Sequence, residues 1–332
     1  MRPVRLFAAL ALGVLAALLA SVRLGAAGLG WSEVVAGLLG SADPATITIV
    51  RDLRLPRALL GALIGAALAL SGATFQALLR NPLAEPYVLG VAGGAALGAV
   101  AVIGTGWALG APWALPLGAM AGAFVTIAVV VRIARGVGPG LDVRALLLAG
   151  VVVGVFCNAC LLLLLSLQRG EAFREAVFWL MGSLAGASWA AAGWLAALVL
   201  PVGAILCAAA RPLDLLAVGE ESARHLGVRV ARTRLLAYLA ASFLTAVSVA
   251  VAGSIGFVGL FVPHAARLLW GGGHRRLLPA AALLGAAFLP LADSLARTVV
   301  APAELPLGVI TAFVGVPFFV AVMRRRLAGR PG

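Results

Sequence analysis

The chain has 332 residues; 63% are hydrophobic, only 11% are charged, and the mean hydropathy is +1.11. A soluble domain has about 45–50% apolar and about 25% charged residues, so this composition excludes a soluble monomer and predicts about 10–11 membrane spans. All 25 basic residues are arginines and the net charge is +13. The missing lysine excludes a Walker A ATPase, and short arginine clusters between apolar runs indicate membrane topology rather than nucleic-acid binding.

The predicted elements are apolar segments separated by charged residues. In chain order they are 6–22, 58–79, two spans within 86–131 that turn near 110–116, 145–168, 176–210 as a span plus a shorter helix, 235–263, a shorter helix at 262–270, 277–292 and 305–323. They give ten spans and a single transmembrane domain of residues 1–332. The first resembles a signal peptide, but its 17 apolar residues exceed the about 7–15 of a signal sequence, so we expect it to be retained.

Two further patterns describe how the predicted spans are arranged. If the spans alternate and both termini are cytoplasmic, 18 arginines lie on the cytoplasmic side and seven outside, as the positive-inside rule favours. Glycines four residues apart, such as Gly61 with Gly65 and Gly94 with Gly98, indicate closely packed helices. They do not indicate a substrate.

Two polar segments flank the second predicted span. Residues 51–57 place three arginines and one aspartate at its outer mouth. They serve either as interfacial anchors or as a docking surface for an acidic partner, because arginine pairs with carboxylates through two bonds. Residues 71–90 contain Pro82 and Pro86, which interrupt a helix. Irregular backbone at membrane depth is tolerated only where protein buries it or it lines a cavity, so we expect more than an ordinary turn there.

The only long polar stretch is 214–234. Glu220 opens a short amphipathic helix in which Ala223, Leu226 and Val230 fall at helical spacing. Gly227 is expected to end this helix. Such a helix lies on the bilayer or docks into the groove of a partner, and periodicity does not choose between the two.

Residues 252–267 combine three glycines with a proline. Gly253, Gly256 and Gly259 allow a non-helical, closely packed backbone. Pro263 is predicted to start a short helix in its first turn. His264 is expected to be a packed histidine rather than a ligand or a proton relay.

The sequence predicts no catalytic residue, no metal site and no cofactor. Cys157 and Cys160 form a C-x-x-C pair inside an apolar run, without a second cysteine pair, so helix packing is the preferred interpretation. A membrane-embedded enzyme needs clustered histidines or paired carboxylates within a span, and the sequence has neither. An ion-coupled secondary transporter remains the alternative, but such proteins usually carry acidic residues inside their spans, whereas Asp293 and Glu304 lie near span ends.

Five blocks occur in a characteristic order. They are Leu-Arg-Leu-Pro-Arg at 53–57, Ser-Gly…Gln…Asn-Pro-Leu-Ala-Glu-Pro over 71–86, Gly-Glu…Ala…Leu-Gly over 219–227, Gly-Phe-Val-Gly-Leu…Pro-His…Arg over 256–267 and Ala-Glu-Leu-Pro-Leu-Gly over 303–308. In this order they resemble the FecCD-type permeases, the membrane subunits of ABC importers for iron–siderophores, haem and cobalamin. The resemblance covers nearly the whole chain, from about 51 to 323.

The resemblance implies a BtuC-like type II ABC importer permease fold, all-α and polytopic, with ten transmembrane helices per subunit. It implies a multi-pass protein of the cell (inner) membrane with both termini cytoplasmic. The implied partners are a second copy in a homodimer, two cytoplasmic ATPase subunits, a periplasmic or lipid-anchored substrate-binding protein and the lipid bilayer. The chain is then a transport subunit and not an enzyme. The choice among siderophore, haem and cobalamin stays open.

The resemblance also implies roles for individual residues. Arginines at three positions are expected to dock the binding protein: Arg54, Arg57 and Arg297. An i, i+4 pair with Asp293 would orient Arg297. A segment at about 212–234, between spans 6 and 7, is expected to contact the ATPase. Four of its residues are expected to make the coupling contacts: Glu220, Ala223, Leu226 and Gly227. The cytoplasmic gate is expected to be formed by Asn81, Pro82 and Leu83.

Overall fold

The computed structural model describes residues 3–25, 27–111, 113–136 and 142–328, and every regular element in this part of the chain is helical. The helices are α1 (Pro3–Arg23), α2 (Trp31–Leu39), α3 (Pro44–Ile47), α4 (Leu55–Leu78), α5 (Val91–Gly104), α6 (Trp107–Gly110), α7 (Ala114–Gly136), α8 (Val143–Leu167), α9 (Glu171–Leu180), α10 (Trp189–Ala208), α11 (Ala210–Val218), α12 (Glu220–His225), α13 (Val230–Ala252), α14 (Val258–Trp270), α15 (His274–Thr298) and α16 (Leu307–Ala328). A π-helical turn (Thr48–Arg54) leads into α4, and a 3₁₀ turn (Pro86–Leu89) precedes α5.

Seven stretches of the described chain are long and apolar enough to cross a membrane. They are Arg5–Arg23, Pro44–Leu78, Ala114–Gly136, Val143–Leu167, Trp189–Ala208, Val230–Ala252 and His274–Thr298. Three shorter apolar helices accompany them, Val91–Gly104, Val258–Trp270 and Leu307–Ala321. The predicted all-helical membrane class is confirmed. The count of ten spans stays a prediction, because it includes the three shorter helices.

Helix α4 forms the centre of the bundle, where it packs against α10, α13, α14 and α15. Glycine makes the closest of these approaches possible. An ideal Cβ atom at Gly65 would lie 2.1 Å from the carbonyl oxygen of Gly285 on α15, and one at Gly94 on α5 would lie 2.6 Å from the carbonyl oxygen of Gly122 on α7. Any side chain at these positions would separate the helices. The close packing predicted from Gly65 and Gly94 is therefore confirmed.

Two long helices define opposite ends of the molecule. Helix α4 begins next to Arg54 and ends near Arg80, and α15 begins at His274 and ends at Thr298. Each has 24 or 25 residues and is therefore about 36 Å long, more than the about 30 Å of a hydrocarbon core. We call the end that holds Arg54, Arg57 and Arg297 the arginine end, and the end that holds α11 and α12 the α12 end.

Two small helices at the arginine end were not predicted from the sequence. In α2, the side chain of Glu33 accepts a hydrogen bond from the Gly30 amide at 2.6 Å. Asp43 caps α3, because its Oδ2 accepts from the Thr46 amide at 3.0 Å. This bond holds the pKa of the Asp43 carboxyl below its usual value. Both helices are too short to show a hydrophobic period.

The shorter helix α14 begins well inside the bundle and not at its edge. An ideal Cβ at Gly72, six residues before the end of α4, would lie 1.8 Å from the carbonyl oxygen of Gly259. The prediction that Pro263 starts this helix is wrong, because α14 begins at Val258 and Pro263 lies within it. Pro263 cannot donate to the Gly259 carbonyl. Gln76 Nε2 donates to that oxygen at 3.4 Å and to the Leu260 carbonyl at 3.1 Å, so the carbonyl that faces the proline ring keeps a partner.

Candidate functional site

A cavity at the arginine end brings the three predicted docking arginines together. It has a volume of about 430 Å³, and its lining includes Arg54, Arg57, Arg297 and Glu304. Arg54 is the last residue of the π-helical turn, Arg57 lies in the first turn of α4, and Arg297 lies in the last turn of α15. Arg54 and Arg57 are neighbours in the sequence, but Arg297 lies more than 230 positions after them, so the fold brings it to the other two.

Asp293 forms the charged centre of this cluster. Its Oδ1 lies 2.9 Å from Arg57 Nη2, and its Oδ2 lies 2.9 Å from Arg297 Nε. The predicted i, i+4 pair between Asp293 and Arg297 is therefore confirmed. Arg57 also donates from Nη2 to Glu304 Oε2 at 2.8 Å. Asp293 is 1% exposed and Glu304 is 41% exposed, so one carboxylate is enclosed between two cations and the other faces solvent.

Arg54 forms its hydrogen bonds with backbone carbonyl oxygens and not with a carboxylate. Its guanidinium donates to the carbonyl oxygens of Val22 at 3.0 Å, Arg23 at 2.7 Å and Ala27 at 2.5 Å. A cation is favoured at the C-terminal end of a helix such as α1. The arginines that the resemblance assigns to docking are thus bonded within the chain in this conformation. Three arginines against Asp293 and Glu304 leave one net positive charge at the cavity.

At the α12 end, the polar segment is attached to three of the candidate spans. Arg80 Nε, two residues beyond α4, donates to the Leu216 carbonyl at 3.0 Å. Asp214 Oδ1 accepts from the His274 amide at 2.8 Å and lies 2.7 Å from its Nδ1, at the start of α15. Glu220 pairs with the buried Arg234 of α13. Movement of α11 and α12 would therefore pull on α4, α13 and α15 together.

The predicted amphipathic helix is present as α12, but its residues do not share one face. Ala223 is fully buried, whereas Leu226 is 64% exposed. Val230 is buried as well, because α12 ends at His225 and a turn separates it from α13. Gly227 has a φ of +79° in that turn, which explains the glycine. Among the four predicted coupling residues, Leu226, Gly227 and the half-buried Glu220 are accessible, while Ala223 packs inward.

The predicted gate residues lie in the turn that follows α4. Asn81, Pro82 and Leu83 are all exposed, and the Leu83 side chain is 53% exposed. Asn81 Oδ1 accepts from the Leu83 amide at 2.9 Å, so the side chain stabilises the turn locally. The three residues thus form one compact projection at the α12 end.

Glu85 and Tyr87 hold two interrupted backbone segments together, and sequence reasoning did not single them out. Glu85 Oε1 accepts from the Phe257 amide at 2.5 Å, and the Tyr87 hydroxyl oxygen accepts from the Ile255 amide at 2.5 Å. Phe257 has a φ of +68° and precedes the first residue of α14. The only sequence signal was a glutamate between irregular, proline-containing residues, which fits the rule that such backbone is buried in protein.

An open apolar cavity of about 550 Å³ adjoins this junction. Its lining comes from α9, α16 and the segment before α14, and includes Met181, Phe257, Gly308, Ala312 and Val316. The Gly308 amide donates to the Met181 carbonyl at 3.0 Å, which fixes the start of α16 against the end of α9. The cavity therefore lies where three chain interruptions meet.

The residues weighed for metal or proton chemistry lie in packed surroundings. Cys157 is buried with its Sγ 3.6 Å from the Thr126 hydroxyl. His264 is 3% exposed and its ring lies 6.2 Å from that of Phe319. In the part of the chain that the structure describes, no group of three His, Cys, Asp or Glu residues could hold a metal ion.

Comparison with known proteins gives a consistent assignment. The model of the FecCD transport family matches residues 13–325. The uncharacterized ABC transporter permease protein YvrB of Bacillus subtilis is 42% identical over 301 residues, which are 90% of this chain and 85% of that protein. The vitamin B12 import system permease protein BtuC of Citrobacter koseri is 45% identical over 271 residues, 82% of this chain and 81% of that protein.

The fold agrees as well. A solved structure described as an inward-facing conformation of a metal-chelate type ABC transporter has a TM-score of 0.88 and 32% identity, and covers 97% of this chain and 99% of that one. The family match therefore argues against the alternative, an ion-coupled secondary transporter. With its apolar helices, the chain is an integral membrane protein that belongs to the FecCD transport family, the ABC importer permeases of the FecCD and BtuC type.

Proposed function

We propose that this chain forms the translocation path of a binding-protein-dependent importer for an iron complex (siderophore or haem) or cobalamin. It works as a homodimer of ten-helix subunits in the cell (inner) membrane, with both termini cytoplasmic. Two cytoplasmic ATPase subunits contact the α12 end, and a periplasmic or lipid-anchored binding protein contacts the arginine end. The chain itself performs no covalent chemistry, since ATP is hydrolysed by the partners.

The attachment of the polar segment to three spans is the observation that carries this proposal. The bonds of Asp214, Glu220 and Arg80 join α11 and α12 to the starts of α15 and α13 and to the end of α4. Leu226 and Glu220 remain accessible beside these bonds. An ATPase that grips this surface can therefore move three helices as one body.

The arginine end supports docking of an acidic partner. A glutamate of the binding protein that enters the 430 Å³ cavity would meet Arg57. Glu304, which pairs with Arg57, is 41% exposed, so the incoming carboxylate can take its place beside the guanidinium. Arg54 and Arg297 line the same cavity, so the partner carboxylate would enter a site with net positive charge. Bidentate pairing favours arginine for this role.

The apolar cavity between α9, α16 and the segment before α14 supports a path shared by two copies. The cavity is open in a single copy, and Phe313 on α16, which lines it, is 74% exposed. A second copy against α16 would complete the enclosure. The exposed turn of Asn81, Pro82 and Leu83 would close the path at the α12 end.

Alternation between outward- and inward-facing states follows from these contacts. Nucleotide states of the ATPase that bind the two conformations unequally shift the equilibrium between them. The α12 end transmits that shift to α4, α13 and α15, and the junction at Glu85 carries it to α14.

The test is substrate uptake into proteoliposomes that contain the permease, the ATPase and the binding protein expected from neighbouring genes. Radiolabelled cobalamin, a ferric siderophore and haem are offered separately. We expect ATP-dependent accumulation of one class, only with the binding protein present. Accumulation of none, or uptake that follows an ion gradient without ATP, would contradict the proposal.

A further inference from the structure

A groove lies between α7 and α13 and shares no lining residue with the two cavities described above. It has a volume of about 580 Å³, and its walls include Phe124, Ala128, Leu235 and Leu239. Phe124, which lines one end of the groove, stacks on Phe243 of α13 with ring centroids 6.1 Å apart. The walls are apolar, and Ala128 and Leu239 are exposed.

Arginines form the other end of the groove. Arg132 and Arg135 line it directly, and both are exposed at the end of α7. On α13, Arg232 is exposed and lies three residues before Leu235, hence on the same helix face. The cations gather where α7 ends and α13 begins, which is the α12 end of the molecule.

The length of the groove matches one half of a bilayer. Phe124 and Arg135 are 11 residues apart on one helix, so the groove is about 16 Å long. Half of a hydrocarbon core of about 30 Å is about 15 Å. An acyl chain that fills the groove would therefore place its headgroup at the arginines.

We propose that this groove binds one anionic phospholipid, with an acyl chain against Phe124, Ala128 and Leu239 and the phosphate at Arg132, Arg135 and Arg232. Basic pockets between transmembrane helices on the cytoplasmic side are suited to anionic headgroups. The larger groove between α4, α10 and α15, of about 700 Å³, has no charged residue in its lining. That larger groove would accept lipid tails without preference for a headgroup. The arginines therefore distinguish the groove between α7 and α13 from it. The inference does not depend on the substrate or partners proposed above.

The experiment counts lipids that stay on the purified full-length protein in mild detergent, by native mass spectrometry. Phosphatidylglycerol and phosphatidylcholine with identical acyl chains are added in parallel. We expect retention of phosphatidylglycerol about tenfold or more above phosphatidylcholine, and a loss of about fivefold for each arginine changed in R132Q, R135Q and R232Q. Equal retention of the two lipids by the unchanged protein would overturn the proposal.

The matched control removes three other exposed arginines of the α12 end, as R211Q/R275Q/R276Q. It should leave retention unchanged, and an equal loss would show that only overall charge matters. Ala128→Trp fills the groove and should abolish retention although the arginines remain, and Ala128→Leu repeats this test if tryptophan prevents folding. Wild-type retention in a folded groove-filling variant would refute the acyl-chain site. Displacement of the lipid by millimolar inorganic phosphate would show that the arginines bind free anions instead.

Discussion

The two ends of the molecule use charge in opposite ways. At the arginine end, Asp293 is 1% exposed and bridges two arginines, and Arg54 is surrounded by carbonyl oxygens. At the α12 end, Glu220 and Leu226 remain accessible and the segment is held by a few separate bonds. The comparison indicates that the arginine end is a rigid platform, whereas the α12 end is an element that can move and transmit force.

The largest effect should come from breaking the rigid platform at Asp293. Asp293→Asn leaves the buried Arg297 without its carboxylate partner and removes one of the two partners of the half-buried Arg57. Loss of one partner of a buried pair costs about 3–5 kcal/mol. The control is Glu304→Gln, which removes the exposed partner of Arg57 and should cost about 0–1 kcal/mol. Thermal unfolding in detergent measures both. Equal shifts in the two variants would show that the platform is not rigid.

The next effect concerns the turn that ends α12. Gly227→Pro cannot adopt the φ of +79° and loses the bond from the Gly227 amide to the Arg224 carbonyl, which is 3.0 Å long. The local cost is about 3 kcal/mol, and substrate-stimulated ATP hydrolysis in proteoliposomes should be lost. Gly227→Asn is the control, since asparagine tolerates positive φ, and should couple normally. Normal coupling in the proline variant would argue against a role for this turn.

Glu220 tests the bond between α12 and α13. Glu220→Arg places a second cation beside the buried Arg234, so assembly with the ATPase should weaken by about tenfold, about 1.4 kcal/mol. Glu221→Arg makes the same charge change at the exposed neighbouring position and should have little effect. Co-purification with the ATPase gives the comparison. If both variants assemble like the wild type, Glu220 does not position the contact surface.

The smallest effect is expected at the docking cavity. In Arg54→Glu with Arg57→Glu, repulsion of the partner carboxylate should weaken binding-protein affinity by about fivefold at physiological salt. A docking pair that forms on the solvent-facing side of the cavity, where Glu304 is 41% exposed, is worth about 1 kcal/mol or less. Arg169→Glu with Arg174→Glu changes the charge equally at exposed positions outside the cavity. A pull-down on the monodisperse fraction of each variant separates docking from misfolding. Equal affinity of the two double variants would remove these arginines from the docking site.

Composition and local residue spacing made the membrane class, most helices and several contacts predictable. Apolar segments marked α1, α4, α8 and α13, and glycine spacing marked the approach at Gly65. The i, i+4 spacing also predicted the pair of Asp293 and Arg297. These features depend on local spacing or on composition, which a sequence displays directly.

The rest depended on contacts between distant residues. The start of α14 was misplaced because Gln76, 183 positions away, satisfies the carbonyl that Pro263 leaves free. Ala223 has the spacing of a surface helix, yet tertiary packing buries it. The bonds of Arg54 to α1 were likewise invisible, because a backbone acceptor has no sequence signature. The residues chosen from family resemblance lie at two opposite ends of the bundle, and their exposure was set by the fold.

The most direct test of the account is whether α12 transmits the ATPase state to the cavity beside α16. Spin labels at Ala312, in a variant with Cys157, Cys160 and Cys207 replaced, report the distance between two copies in the assembled complex by pulsed electron paramagnetic resonance. The account predicts a distance change when a non-hydrolysable ATP analogue is added, and no change in Gly227→Pro although the analogue still binds. An unchanged distance in the parent protein, or the same change in the proline variant, would contradict it.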